Sequence, residues 1–145
     1  MDKNEALKLL LKYLTSVQND FVIHPDFIVD MKKLLKNELK GVEIKFFQQM
    51  VTQLDNIIHF GKNVHTVANN EILSGIGRDS DGQPWDLYSI HLNSGGSFNI
   101  RFIIKFDENT TPYLLHAFYE RKGKRKTDYT IPKKVSQKRF LELKN

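Results

Sequence analysis

The sequence predicts an α+β fold, with helices gathered in the first part of the chain and an antiparallel sheet in the second. Two rhythms of apolar residues say so. Apolar residues recur every three or four positions up to residue 60, and every second position between residues 86 and 120. A third observation sets the scale: 145 residues with a 40% hydrophobic fraction suffice for one hydrophobic core and one domain.

The elements follow in order. Asn4 to Val17 carries Leu7, Leu10, Leu11, Leu14 and Val17 as a single helical stripe. Asp20 to His24 is short, β-branched and aromatic, which suits a strand ending at Pro25. Asp26 to Lys40 places Phe27, Met31, Leu34, Leu35 and Leu39 on one helix side, with Gly41 as its C-terminal stop. Glu43 to Phe60 does the same with Phe46, Phe47, Met50, Leu54, Ile57 and Ile58. So short a break predicts that these two helices fold back as an antiparallel pair. Residues 61–84 are weakly patterned and rich in turn formers.

Three alternating runs then predict a meander: Asp86 to Leu92, Phe98 to Phe106 and Tyr113 to Glu120. In the middle run Ile100, Phe102, Ile104 and Phe106 share one face, and Asn99, Arg101, Ile103 and Lys105 the other. A basic loop follows. Thr130 then opens a last helix that accepts Pro132 in its first turn and runs toward Leu143.

Composition narrows the function. The chain has no cysteine, which removes thiol chemistry and disfavours zinc. Gly-Ile-Gly at 75–77 lacks the rest of a phosphate-binding fingerprint, and His24, His59 and His65 have no metal-ligand spacing. No cofactor and no metal are expected. With no apolar run long enough for a membrane span and no leader pattern, a mature cytoplasmic protein is expected. Charge is concentrated at one end. Residues 1–60 balance eight Lys/Arg against eight Asp/Glu, whereas residues 116–145 carry ten against three. Such a surface attracts a phosphate backbone or an acidic partner.

The polar sheet face adds chemistry to that charge. Ser89, His91, Arg101 and Lys105 lie on it, with His116 and the cationic stretch Arg121, Lys122, Lys124, Arg125 and Lys126 at or beyond the last strand. Tyr119 and Tyr129 can stack on bases. The combination reads as an open sheet that binds RNA. Metal-free RNA cleavage needs a base for the ribose 2′-OH, a cation for the phosphorane and an acid for the leaving oxygen. Histidine, arginine, lysine and tyrosine supply those groups.

Residues 86–140 resemble the RelE/HigB toxins of type II toxin–antitoxin systems, and more narrowly their phage-derived HigB-like branch. The resemblance rests on Arg101 in the second meander strand, Leu115-His116-Ala117-Phe118, the basic pair Arg121-Lys122 and the Pro132-opened last helix. Phe21 to Lys36 is similar to the family's opening strand and helix. On this reading residues 21–145 are a RelE-like toxin domain and residues 1–20 an added helical extension. The resemblance implies ribosome-dependent cleavage of mRNA and neutralisation by a cognate antitoxin, in a heterotetramer or larger assembly. It assigns Arg101 to the scissile phosphate, Lys122 to phosphate contact and Tyr129 to the tyrosine near the last helix.

There are departures. Ser89 and His91 stand where the family often carries Glu and Arg, so His91 is the expected replacement cation or proton carrier. Lys105, His116, Tyr119, Arg121, Lys124, Arg125 and Lys126 are the expected RNA contacts. A ParE-like gyrase inhibitor and a non-catalytic RNA- or protein-binding module are the competing readings.

Overall fold

A computed structural model of the chain describes residues 1–73, 77–78, 82, 84–120 and 126–144. Among the described residues four α-helices and five strands form an α+β domain in which an N-terminal helix and its successors pack on a mixed, mainly antiparallel sheet. The helices are α1 (Lys3–Ser16), α2 (Pro25–Asn37), α3 (Glu43–Phe60) and α4 (Thr130–Lys144). The strands are β1 (Val22–Ile23), β2 (Glu71–Leu73), β3 (Leu87–Ser94), β4 (Phe98–Phe106) and β5 (Pro112–Tyr119).

Local chemistry sets the helix starts. Asp2 accepts from the Glu5 N–H at 2.8 Å and closes the first turn of α1. His24 does the same for α2, its Nδ1 accepting from the Asp26 N–H at 2.9 Å while Pro25 takes the first helical position. Gly41 separates α2 from α3 at φ +84°, a conformation that side chains disfavour. Rather than forming one isolated pair, α2 meets the sheet over β5 and α3 meets it over β3, while α1 packs on α2.

Sheet order is β1-β5-β4-β3-β2. Strands β2 to β5 are antiparallel neighbours, and β1 pairs with β5 in parallel. Strand β2 lies inside the stretch whose pattern predicted nothing. A 3₁₀ turn at Gly61–Thr66 leads into it.

The alternation in β3 and β4 sorts the side chains as expected. Tyr88, Ile90, Leu92, Ile100, Phe102 and Ile104 face α1 to α3 and form the main core. There Phe46 meets Phe98 and Phe102 edge-on, and Phe27 meets Phe102 at 5.1 Å. The opposite face is not open. Helix α4 lies across it, and Leu73, Trp85, Leu87, Ile103, Leu115 and Phe140 form a second, smaller core beneath. The basic helix returns because Phe140 finds both Trp85 and Tyr113 as edge-on partners. Among the described residues no helix is long and apolar enough to cross a membrane.

Candidate active site at the edge of the second core

Three adjacent strands bring the polar residues of this face together where α4 begins. Register sets Glu71 beside Ser89, His91 beside Arg101, and Arg101 beside Phe118. Tyr129, the last residue before α4, drops onto them. Its hydroxyl lies 2.8 Å from Ser89 Oγ, and its ring meets Phe118 edge-on at 6.3 Å. An open groove of about 750 Å³ runs from here toward the β3–β4 turn, lined by Asn69, Glu71, His91, Asn93, Asn99 and Arg101 among others.

Burial decides the protonation states. His91 is only 9% exposed; burial, aided by the positive charge of Arg101, pulls its imidazole down to about 4. His91 is therefore neutral at pH 7, and its Nε2 has no hydrogen-bond partner among the described residues. Arg101, 8% exposed, donates from Nη1 to Asn99 Oδ1, while its Nε has no such partner. A buried donor without a partner is costly. Burial raises Tyr129; the Ser89 hydrogen bond offsets part of this, Glu71 adds to it, and Arg101 opposes it. The phenol keeps its proton at neutral pH. The cluster thus holds a neutral imidazole, a fixed guanidinium and a protonated phenol on one sheet face.

Other expected site residues lie elsewhere. Lys105 shares the face but is 2% exposed beneath α4, with Nζ 4.6 Å from the centre of the Trp85 ring and 5.2 Å from that of Phe140. That position is not a surface for RNA. Tyr119 turns to the helix side, where it packs against the main core. An irregularity between Ile103 and Ile104, with Leu115 as the extra residue opposite, shifts the side-chain alternation along β5 by one. It also turns His116 toward α4, where its ring stacks on Phe118 at 5.4 Å. Lys126 is exposed. Arg121, Lys122, Lys124 and Arg125 fall outside the described residues.

His116 belongs to a separate ionic knot. Its Nδ1 lies 2.9 Å from Asp30 Oδ2, which also accepts from the Ala117 N–H at 3.1 Å and from Arg139 Nη1 at 2.6 Å. Arg139 Nη1 reaches the Leu115 carbonyl at 2.9 Å as well. Burial works to raise the Asp30 carboxyl, but the bonds from His116, Arg139 and Ala117 outweigh it and hold it below the ordinary range. Because β1 ends after Ile23, this carboxylate stands in for the missing strand along β5 and ties α2, β5 and α4 together.

Sequence reasoning missed Glu71 and Asn70. Both fall in the unpatterned link, and a strand of only three residues gives no alternation to read. No group of three or more His, Asp or Glu side chains among the described residues has the geometry of a metal site.

No protein-family model matches the chain, and no curated protein and no solved structure matches it. The resemblance to the RelE/HigB toxins therefore rests on the sequence motifs of residues 21–36 and 86–140 alone.

Proposed function

We propose that the chain is a toxin-type endoribonuclease acting on ribosome-bound mRNA. The observation that carries this reading is the side-by-side placement of Arg101 and the neutral His91 under the Tyr129 phenol. In the proposed reaction His91 takes the ribose 2′-OH proton and the 2′-oxygen attacks the adjacent phosphorus. Arg101 stabilises the dianionic phosphorane. The bond from phosphorus to the 5′-oxygen breaks, and Tyr129 supplies the proton that this oxygen needs. The products are a 2′,3′-cyclic phosphate and a free 5′-hydroxyl. The resemblance adds the rest of the reading: action in the cytoplasm and inhibition by a cognate antitoxin in a heterotetramer or larger assembly.

The test is cleavage of a defined mRNA on programmed 70S ribosomes, with the same mRNA free of ribosomes as control. Wild type is expected to cut only with ribosomes present, and Arg101→Ala and His91→Ala to lose the cut. A folded wild type that leaves the mRNA intact sinks this reading and moves the search to gyrase inhibition and then to a binding role.

A further inference from the structure

Strand β3 outruns its neighbour on one side. Strand β2 pairs with it through Leu87, Tyr88 and Ser89, and from Ile90 onward that edge has no strand partner among the described residues. The edge is nevertheless satisfied at His91. Its N–H donates to Asn70 Oδ1 at 2.9 Å, and its carbonyl accepts from Gln53 Nε2 at 2.9 Å. Asn70 Nδ2 in turn donates to Gln53 Oε1 at 3.1 Å. Two carboxamides, joined to each other, replace the backbone of a missing strand residue. Both are buried, at 6% and 5% exposure, so neither can be replaced there by bulk water.

Asn70 is brought there by an unusual backbone. Two residues earlier Ala68 sits at φ +52°, a region that side chains other than Gly, Asn and Asp rarely enter. The Asn70 N–H closes the turn onto the Val67 carbonyl at 3.2 Å, and its side chain donates to the Val64 carbonyl at 3.3 Å. A strained turn whose product is one side chain under one residue of β3 points to a requirement at that residue. Gln53 reaches the same point from α3, through the main core.

We propose that Asn70 and Gln53 are positioning residues for His91, fixing the backbone from which its imidazole faces Arg101 and the groove. This rests on the reading of His91 as part of an RNA-cleaving site. A strand partner would fix the backbone equally well, but it would also extend β2 along the mouth of the groove. Two side chains hold His91 and leave that edge open for substrate.

The proposal is tested on the full chain by nuclear magnetic resonance, which needs no activity. The groups facing His91 are Arg101 from β4, Glu71 from β2 and Tyr129 before α4, and they are left unchanged in every variant. In Asn70→Ala the His91 amide is expected to exchange with solvent about tenfold faster or more, while the Phe102 and Ile104 amides keep their protection. The His91 ring is expected to titrate about one unit higher than in wild type, toward its unperturbed range. On ribosomes kcat is expected to fall about 100-fold with KM little changed. Gln53→Met, which keeps the Asn70 bond to the His91 N–H, is expected to move the same readouts less and serves where Asn70→Ala does not fold. A folded variant with wild-type exchange and titration at His91 overturns the proposal. So does a uniform loss of protection across the sheet, which marks the pair as merely structural. Failure of wild type to cut RNA sinks the function and leaves these two readouts to decide the positioning.

Discussion

The phenol of Tyr129 and the hydroxyl of Ser89, forty positions apart in the chain, meet at 2.8 Å. Ser89 is completely buried, so this contact is where its hydroxyl is satisfied, and it fixes the point at which the chain enters α4. It also gives physical sense to one departure from the toxin pattern. A serine is short enough for the tyrosine ring to close on β3, whereas a glutamate there would bring a carboxylate into the same buried contact.

Tyr129→Phe keeps the ring and removes the partner of a buried hydroxyl. The expected cost is about 1–3 kcal/mol of unfolding free energy, read from urea denaturation. Adding Ser89→Ala removes the stranded hydroxyl as well and is expected to recover most of the loss. On programmed ribosomes, Tyr129→Phe is expected to slow cleavage about 100-fold if the phenol is the proton donor. A variant as stable and as fast as wild type would deny Tyr129 both roles.

Asp30 carries the second prediction. Its side chain is 12% exposed and receives bonds from α4, β5 and the His116 ring. Asp30→Ala leaves Arg139 without its carboxylate and an edge N–H without an acceptor, and is expected to cost about 3 kcal/mol. The pH sign follows from the depressed carboxyl. Because the folded state holds this proton less tightly than the unfolded one, the stabilisation is complete above the ordinary carboxyl value of 3.8. It drains away as pH falls from there through the lower folded value. Wild type is therefore expected to lose stability in that acidic window relative to Asp30→Asn. Parallel curves for the two proteins below about pH 4 would show that the carboxylate contributes no linkage.

Much of this architecture was legible because periodicity reports burial directly. Phe46, Met50, Leu54 and Ile57 marked the buried side of α3, and Ile100, Phe102 and Ile104 marked the core side of β4. The same alternation put His91 and Arg101 on one face, and the register of β3 with β4 sets them side by side. What escaped depends on interactions that carry no period. The irregularity opposite Leu115 shifts the alternation by one, which turns Tyr119 against the main core and His116 toward α4. The cover over the polar face depends on Phe140 finding Trp85 and Tyr113, three residues from three segments. That same cover turned Lys105 from an expected RNA contact into a buried cation over aromatic rings. Asn70 and Gln53 were invisible because they replace a strand instead of extending one.

His91 gives the sharpest pH prediction, and stability and activity should report it together. Its folded value of about 4 lies below the unperturbed 6.5, so as pH falls the unfolded chain takes up the proton first. Between those two values stability must decrease with decreasing pH, and below about 4 this contribution levels off. Across the whole window the difference is on the order of 3 kcal/mol, since each unit of separation is worth about 1.4 kcal/mol. His91→Gln cannot titrate, so subtracting its urea-derived stability from that of wild type isolates the effect of this one ring. The difference is expected to be flat above about pH 7 and to fall steadily toward pH 4. The same neutral imidazole is available as a base well into acid, so the acidic limb of kcat/KM is expected to bend near 4 rather than near 6.5. A wild-type limb bending near 6.5, with no slope in the stability difference, would mean that His91 is neither desolvated nor held against Arg101, and the proposed proton acceptor would have to be sought elsewhere on the sheet.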